Sequence, residues 1–398
     1  MGASVSCRTP NGRAEAPVDE QGRVRLRFAT DWRAQAEQGG FYQALASGAY
    51  EKRGLNVQIV QGGPGVNVPQ LLASGAVELG MGSNSFIPLN LVASGAPVKA
   101  VAAFFQKDPQ SLMVHEGQGY DEIADLKGAG IRIPTAGRVA YWPWLKAEYG
   151  FTDDQLRPYD YTIGPFIADP SIAQQGYITN DGYFLAKDDV DAKSLLLADA
   201  GWGAYSATLV TTRDMIEEQP RVVQAMVDAT AEGWAAYFEN PAPANELIKQ
   251  DNPEMQDDLI AYSIREMKEQ GILLSDAAED GAYGMMTDDR WEAFYQDMVE
   301  AGTLPEGLDY RKAYDLRIHA EAGLVSITGT ANEPVKVAIS VADIAAGMYA
   351  YSGILTALLM RHQTGAGTVI EVSMLEALGE WMGYPVYYGT DGGAEPPR

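Results

Sequence analysis

The sequence is poor in the residues that build metal centres, disulfides and nucleic-acid surfaces. Its 398 residues include one cysteine, Cys7, and three histidines, His115, His319 and His362. A single cysteine cannot form a disulfide within the chain, and histidines this far apart do not have the spacing of a zinc site. Lysine and arginine total 29 against 54 aspartate and glutamate, which gives a net charge of −25. We therefore expect no metal, no cofactor and no nucleic-acid partner, because a negative chain repels phosphate backbones.

Long apolar runs are also scarce. Residues 1–22 lack the stretch of about 7–15 apolar residues that a secretory signal needs, so we interpret them as a flexible leader. Val335–Met360 is apolar enough to be considered as a membrane span of about 20 residues. Lys336 and Asp343 interrupt it, however, so we predict a strand followed by an interior helix of a soluble protein.

From residue 23 onwards the sequence alternates between short β-rich runs and helical stretches. This alternation is typical of sheets covered by helices, and it predicts an α/β fold. Loops rich in polar residues, such as Asp108-Pro109-Gln110 and Gly201-Trp202-Gly203, are candidate crossings between two lobes with a cleft between them. The predicted parts are the leader (1–22), lobe I (23–107 plus 205–316), lobe II (108–204) and an incomplete α/β segment (317–398).

Hydrophobic periodicity places the individual elements. After Tyr205 we expect a mostly helical chain that packs back onto lobe I. The predicted strands are Arg23–Ala29, Leu55–Val60, Val77–Met81, Val98–Phe105, Gly130–Pro134, Tyr159–Ile163, Ser194–Leu197 and Val335–Ser340. The predicted helices are Gly39–Arg53, Val68–Ser74, Phe86–Ser94, Tyr141–Tyr149, Gln219–Phe238, Asp258–Gln270, Asp288–Ala301 and Ile344–His362, the last capped by Gly365 and Gly367.

Trp32 is the first candidate ligand-binding residue, because it follows directly on the first predicted strand. The carboxyl ends of parallel strands meet the cleft where ligands bind, and a tryptophan there can stack on a flat ring. Beside it, Glu37, Gly40 and Tyr42 offer hydrogen bonds and close backbone approach to a small polar solute. The competing interpretation is an ordinary helix N-terminus with an amphipathic aromatic residue.

Two further segments of lobe I follow predicted strands in the same way. Gly62 and Gly63 lie in the turn Gln61–Gly65, which forms either a small anion-binding nest or a plain tight turn. Ser83 and Asn84 follow the third strand with small polar side chains at the expected cleft edge.

Lobe II completes the candidate cleft with two segments. The aromatic run Tyr141-Trp142-Pro143-Trp144 opens a helix and either meets Trp32 across the cleft or packs in the core, which we favour for Trp144. Tyr177 leads into Asn180-Asp181-Gly182-Tyr183. There Asp181 either accepts hydrogen bonds from an amino group of a ligand or belongs to a solvated turn.

Several of these segments together carry a family resemblance. They are Trp32–Tyr42, Gln61–Gly65, Phe105–Pro109, Gln174–Tyr183, Asp251–Met255, Met286–Trp291 and Tyr310–Leu316. The series resembles the solute-binding proteins of ABC importers in the nitrate, sulfonate and thiamine-precursor (SsuA/THI5-like) group, over residues 23–316. Within that group it is most similar to the binders of pyrimidine precursors.

The resemblance implies a two-lobed periplasmic-binding-protein type II fold in a monomer that delivers a small, flat, nitrogen-containing solute to an importer permease outside the cytoplasm. It implies that Trp32 stacks on the ring and that Asp181 stands where the family has the glutamate of a Ser-Glu-Pro-Tyr segment. Gln106 and Tyr177 join the candidate ligand-binding residues on the same basis.

An enzyme is the alternative function. The same superfamily includes a thiamine-pyrimidine synthase that consumes its own histidine and uses iron. Residues 23–316 contain His115 as their only histidine and no cysteine. This part of the sequence therefore lacks the groups that the chemistry of that enzyme needs.

The segment after Leu316 resembles a different family. Ala320–Leu324, Ser326–Gly329, Ser340–Gly347 and Val372–Ala377 look like an internal stretch of the family III CoA transferases (CaiB/BaiF-like), over residues 317–390. The resemblance makes Asp343 the candidate catalytic nucleophile, whereas a helix cap is the commoner role of such an aspartate. Because the partners that position substrate are absent from this stretch, we expect a vestigial residue without transferase activity.

Overall fold

The computed structural model describes residues 17–273, 283–316, 329–330, 333–334, 341–365, 367, 369–370 and 372. The chain divides into two compact units, residues 1–318 and 319–398.

The first unit contains ten strands and thirteen helices within its described residues. The strands are β1 Val24–Ala29, β2 Leu55–Val60, β3 Leu79–Asn84, β4 Val98–Phe105, β5 Gln110–His115, β6 Ile131–Arg132, β7 Leu156–Arg157, β8 Ala173–Tyr177, β9 Ala192–Leu196 and β10 Ser206–Thr212. The helices are α1 Gly39–Ala46, α2 Ala49–Lys52, α3 Val68–Ala73, α4 Phe86–Ala93, α5 Thr135–Val139, α6 Tyr141–Tyr149, α7 Gly164–Ala168, α8 Asp181–Lys187, α9 Arg213–Glu218, α10 Pro220–Glu239, α11 Ala242–Asp251, α12 Asp257–Glu269 and α13 Asp288–Glu300.

Two five-stranded sheets confirm the predicted two-lobed α/β fold. Sheet A has the order β2-β1-β3-β10-β4 and forms the centre of lobe I; sheet B has the order β7-β6-β8-β5-β9 and forms the centre of lobe II. The chain passes from sheet A to sheet B between β4 and β5 and returns between β9 and β10. These two crossings therefore connect the lobes at one side of the cleft.

Strand β10 was not predicted, because we expected helices directly after Tyr205. It lies antiparallel between β3 and β4 in sheet A. Its sequence SATLVTT alternates polar and apolar residues only from Ser206 to Leu209, and its pairing with β4 shifts register between Leu209 and Val210. Thr208 Oγ1 donates to the carbonyl of Gly82 at 2.7 Å and Thr211 Oγ1 to that of Glu78 at 2.7 Å. The hydrogen bonds that make these side chains fit a buried strand come from β3 and the residue before it, which a local pattern cannot show.

Two other predicted elements were wrong in part. The single helix expected over residues 39–53 is two helices, because Gly48 between them takes a left-handed conformation with φ +70°. Residues 159–163 form a loop instead of a strand, with Tyr161 at φ +62°. The guanidinium of Arg132 holds this loop by donating to the backbone carbonyls of Pro158 and Thr162, both at 2.9 Å.

Helices α10, α11 and α12 pack against α1 and one face of sheet A, as predicted. The core there includes Phe28, Phe41 and Trp234, each with no exposed side-chain surface. A second core covers the other face of sheet A and continues through the crossings into α6. In it Trp202 packs edge-on against Phe294 of α13 at 5.0 Å, so the second crossing is fixed by aromatic packing.

The second unit contains β11 Gly329–Thr330, β12 Glu333–Pro334 and α14 Val341–Thr364. Gly365, at φ +73°, ends α14 and donates to the carbonyl of Arg361 at 2.8 Å, so the predicted cap is confirmed for Gly365. Tyr351, Leu359 and Met360 are more than half exposed, whereas we predicted an interior helix. The predicted strand over residues 335–340 lies outside the described residues. Across the described chain, α14 included, none of the helices is apolar enough over a sufficient length to cross a bilayer.

The contact between α1 and α10 depends on glycine. A Cβ at Gly233 would overlap the backbone carbonyl of Gly40 and would lie 2.8 Å from Cβ of Ala44. We predict that Gly233→Ala lowers the free energy of unfolding by about 1–3 kcal/mol through overpacking, measured as a lower urea midpoint of tryptophan fluorescence. Gly164→Ala is the matched control, because a Cβ there meets nothing within 4 Å. Equal midpoints for the two variants would contradict the prediction.

Candidate ligand-binding cleft

The lobe I side of the cleft is formed where β1 and β3 end. Asp31 and Trp32 follow β1 and are half-buried, and Ser83 closes the adjacent strand. Ser83 Oγ donates to Oδ2 of Asp31 at 2.6 Å. The strand-end argument therefore brings Trp32 and Ser83 to one edge of sheet A, as predicted, and adds Asp31 between them.

The Gly62 turn holds the loop that carries Trp32. The N–H of Gly62 donates to Oγ1 of Thr30 at 3.0 Å and to the carbonyl of Trp32 at 3.2 Å. A Cβ at Gly62 would overlap the carbonyl of Thr30, so this approach requires glycine. The N–H of Gly62 is therefore not free to bind an anion, and Gly62 positions the loop instead. This favours the predicted tight turn over the predicted anion-binding nest. Gly63 is the next residue of the same turn.

Tyrosines line the lobe II side. Tyr161 faces Trp32 across the cleft with ring centroids 6.1 Å apart, and Tyr159 packs beside Tyr161 at 5.1 Å. Tyr141 and Tyr177 lie deeper. Burial raises the pKa of Tyr177, and the nearby carboxylates of Asp108, Asp31 and Glu37 raise it further. Tyr177 therefore lies near groups from both lobes, with its hydroxyl protonated.

Asp181 begins α8 at the edge of the cleft. Its Oδ2 accepts a hydrogen bond from the N–H of Tyr177 at 2.6 Å. The next residue, Gly182, lies against the hydroxyl of Tyr262 from α12, where a Cβ would overlap it. Tyr262 Oη in turn donates to the carbonyl of Ile178 at 3.5 Å. The start of α8 thus touches lobe I closely, and this contact depends on glycine at position 182.

Glu37 makes a direct contact between the lobes. It lies in a short 3-10 turn, Ala36–Gln38, is 5% exposed, and accepts a short hydrogen bond from Oγ1 of Thr179. Burial raises the pKa of Glu37, the Thr179 bond opposes this, and the charges of Asp181 and Asp31 raise it further. Burial likewise raises the pKa of Asp181 to about 6 and the pKa of Asp31. The cleft therefore contains three carboxyl groups whose ionisation is disfavoured by burial, those of Asp31, Glu37 and Asp181.

Asp108 ties the two crossings together behind the cleft. Its carboxylate accepts hydrogen bonds from Asn84 Nδ2 at 3.2 Å, Gln110 Nε2 at 3.0 Å and Trp202 Nε1 at 3.2 Å. Asp108 has no exposed surface, and burial raises its pKa to about 6. The side-chain amide of Asn84, a predicted ligand contact, thus donates its hydrogen bond to Asp108.

Three predicted ligand residues are not brought to the cleft. Gly40 lies against the indole of Trp234 in the α1–α10 contact. Tyr42 is buried in the same core, and its hydroxyl donates to Asp251 at 2.7 Å. Gln106 is buried in the first crossing, where its Nε2 donates to the carbonyls of Ala103 and Met285, both at 3.0 Å. Gly40 and Tyr42 were predicted from their nearness to Trp32 and Gln106 from the family resemblance, and neither argument fixes the side of the sheet that a residue faces.

Sequence reasoning missed Tyr159 and Tyr161 as cleft residues, because their loop looked like a strand. It also gave no role to Asn180, which precedes α8. Two buried polar atoms near the cleft, the hydroxyl of Tyr141 and Oδ1 of Asn180, have no hydrogen-bond partner among the described residues. Tyr141 has no exposed surface, so its unpaired hydroxyl is costly unless a further group bonds to it.

The candidate metal-ligating or catalytic residues His115 and Asp343 are not part of the described cleft. Among the described residues, no group of three or more His, Cys, Asp and Glu side chains is arranged to hold a metal ion. His115 lies at the far end of β5 from the crossing, stacks on Phe166 at 4.3 Å and bonds to its carbonyl at 2.8 Å. Asp343 belongs to α14, but its side chain lies outside what the structure describes.

Comparison with known proteins agrees with this architecture. The model of the family described as NMT1/THI5 like matches residues 35–244, more than half of the chain. The chain belongs to this family. It is similar to a formylaminopyrimidine-binding protein of Halalkalibacterium halodurans, at 25% identity over 303 residues, covering 72% of this chain and 87% of that protein. The periplasmic aliphatic sulphonate binding protein SsuA of Escherichia coli shares the fold, with a TM-score of 0.56 at 16% identity, over 72% of this chain and 91% of that one.

The C-terminal segment matches a second family. The model of CoA-transferase family III covers residues 307–398. Human succinyl-CoA:glutarate CoA-transferase is 35% identical over 71 residues, which are 18% of this chain and 16% of that protein. The chain therefore spans about a sixth of the length of this relative.

The buried carboxyl of Asp108 makes stability depend on pH. Its pKa is about 6 in the folded protein against an ordinary value of 3.8. The folded state therefore keeps its proton to higher pH, and the free energy of unfolding falls as pH rises from about 4 to about 6. We predict that Asp108→Asn removes this contribution. The free energy of unfolding of the wild type minus that of the variant should then fall by roughly 1–3 kcal/mol between pH 4 and pH 7.

Urea unfolding at several pH values measures this difference. A difference in the free energy of unfolding that is the same at every pH reports only the altered hydrogen bonds. A difference that changes with pH reports the ionisation of the carboxyl group. Asp154→Asn, at an exposed position, is the control. A difference between wild type and Asp108→Asn that does not vary with pH would be the contrary result.

Proposed function

We propose that the protein captures a small, flat, nitrogen-containing solute, similar to a pyrimidine precursor of thiamine, for import by an ABC transporter. The observation that carries this proposal is the facing pair Trp32 and Tyr161, with ring centroids 6.1 Å apart across the cleft and the Asp181 carboxyl in the same cleft. A flat ring needs roughly 7 Å between two stacking planes. A small opening of the lobes admits one.

The cleft chemistry supports this class of solute. Aromatic faces stack on heterocycles of any substitution, while carboxylates accept hydrogen bonds from N–H groups of a ligand. Asp181 supplies such an acceptor although it is shorter than the glutamate of the family pattern. The name of the Halalkalibacterium halodurans relative, a formylaminopyrimidine-binding protein, is consistent with the same class.

Family membership supports the transport context. On this proposal the protein acts outside the cytoplasm, as a monomer, and presents the closed lobes to an importer permease. The enzymatic alternatives have less support. His115 is held in the core of lobe II, and the CoA-transferase match covers a small part of its relatives. We therefore expect no acyl transfer through Asp343; turnover from an acyl-CoA donor that Asp343→Asn abolishes would overturn this.

Trp32 is the residue to test first. We predict that Trp32→Ala weakens binding of a pyrimidine ligand about 10-fold or more, because stacking contributes roughly 1–3 kcal/mol for each ring, whereas Trp32→Phe keeps most of the affinity. Titration calorimetry with a panel of pyrimidines, flavins, alkanesulfonates and nitrate measures the affinities. Phe184→Ala changes an exposed aromatic residue of α8 and serves as the control. Unchanged affinities in Trp32→Ala would place the ligand elsewhere.

A second prediction concerns closure of the lobes. Asp258 of α12 accepts a hydrogen bond from Tyr183 Oη at 2.5 Å and pairs with Lys187 at 3.4 Å, both from α8 of lobe II. We predict that Asp258→Ala increases the dissociation rate of the ligand about two- to five-fold, because exposed pairs contribute about 0.2–1 kcal/mol.

The neighbouring residue provides a matched control. Asp257 is also exposed but pairs with Lys249, at 2.8 Å, inside lobe I. Stopped-flow fluorescence should therefore show faster release for Asp258→Ala and an unchanged rate for Asp257→Ala. Identical rates in the two variants would show that this contact does not stabilise the closed state.

A further inference from the structure

The loop of residues 158–163 carries Tyr161, the lobe II residue that faces Trp32. The loop joins β7 to α7, and none of residues 158–162 makes a backbone-to-backbone hydrogen bond in the described part of the chain. Tyr161 is 59% exposed and has a φ of +62°, a conformation that residues with a side chain rarely adopt. Neither burial nor strand pairing therefore holds Tyr161 in place.

One guanidinium group holds the loop instead. Arg132 lies on β6 and is 5% exposed. Its Nε donates to the carbonyl of Pro158 and its Nη1 to the carbonyl of Thr162, both at 2.9 Å. Its Nη2 donates to Oδ1 of Asp160 at 2.9 Å. Because the three acceptors stand before and after Tyr161 in the chain, the planar fork of N–H groups fixes the backbone on both sides of that residue.

Arg132 is itself fixed in sheet B. Its Nη1 also donates a short hydrogen bond to Oε1 of Gln174 on β8, and β6 pairs with both β7 and β8. Its guanidinium carbon lies 5.3 Å from the ring centroid of Tyr159, which packs beside Tyr161. Contacts therefore run from the sheet, through one side chain, to the ring that faces Trp32.

Direct contact with an anionic solute is the other role that an arginine at a strand end could have. Four of the five N–H groups of Arg132 already donate to acceptors within lobe II. The side chain is also buried. The guanidinium therefore serves the loop and not a bound anion.

We infer that Arg132 is a positioning residue for solute binding, which sets the place of the Tyr161 ring opposite Trp32 without touching the solute. The inference rests on the proposed function and adds a residue to it. Lysine cannot take over this role, because an ammonium group has no planar fork to span two carbonyls and a carboxylate.

A cycle of two substitutions tests whether Arg132 acts through Tyr161. Calorimetric titration of the full chain with 4-amino-2-methylpyrimidine measures the affinity. We expect Tyr161→Ala to weaken binding about 5-fold or more, because it removes a stacking ring, and Arg132→Lys to weaken it about 3-fold or more. In the Tyr161→Ala background, Arg132→Lys should change the affinity less than about 1.5-fold, because no ring is left to position.

Arg157→Lys is the matched control. Arg157 pairs in register with Arg132 in sheet B. Its Nη1 donates to the carbonyls of Asp154 and Leu156, which lie outside the loop. The control substitution should therefore leave the affinity unchanged.

Asp160→Ala provides a second test if Arg132→Lys fails to fold, as judged by circular dichroism. The side chain of Asp160 is 69% exposed, so its loss does not disturb a core. We expect Asp160→Ala to weaken binding about 2-fold or more, and only in a chain that retains Tyr161.

The outcomes are distinct. Equal losses from Arg132→Lys with and without Tyr161, or an equal loss in Arg157→Lys, would show general support of lobe II and overturn the inference. Unchanged affinity in Tyr161→Ala or Arg132→Lys, or in Asp160→Ala where that variant decides, would also overturn it. The proposed function would then stand if Trp32→Ala still weakens binding. No binding of the pyrimidine by the wild type would overturn the proposed function and the inference together.

Discussion

The two lobes depend on one buried carboxylate at their junction. Asp108 lies in the first crossing and accepts hydrogen bonds from Trp202 in the second crossing and from Asn84 at the end of β3. Four donors to one fully buried group fix three segments relative to each other. Arg290 of α13 reinforces the junction by donating to the carbonyls of Gly203 at 3.0 Å and Ala204 at 3.2 Å. The two crossings and the end of β3 therefore meet at one fixed point.

That fixed point brings strand ends of the two sheets to the same cleft. Asp31 and Ser83 lie at the ends of adjacent parallel strands of sheet A, and Tyr177 ends β8 in sheet B. The junction holds these strand ends face to face. Further out, Tyr183 of lobe II donates to Asp258 of lobe I, a contact that we expect to stabilise the closed lobes.

The local sequence pattern predicted those cleft positions that follow from where a strand ends. Trp32 and Ser83 were predicted at the cleft because each follows a predicted strand, and the structure places both at one edge of sheet A. Gly40 and Tyr42 were placed wrongly in the expected cleft because the face that α1 buries is chosen by α10 and α11, about 190–210 residues further along the chain. The Tyr159 loop was mistaken for a strand because its conformation depends on Arg132. Information of this kind exists only after the chain has folded.

The departures from the family pattern at positions 181 and 182 are physically connected. Aspartate is shorter than the glutamate of that pattern, so its carboxyl reaches less far from the backbone of α8. Gly182 has no side chain to separate α8 from the hydroxyl of Tyr262, and a proline there would overlap it. The start of α8 therefore lies closer to lobe I than a proline would allow, and the charge of Asp181 still acts on Glu37 across the cleft. Glycine at 182 therefore decides how closely the start of α8, and with it the carboxyl group of Asp181, approaches lobe I.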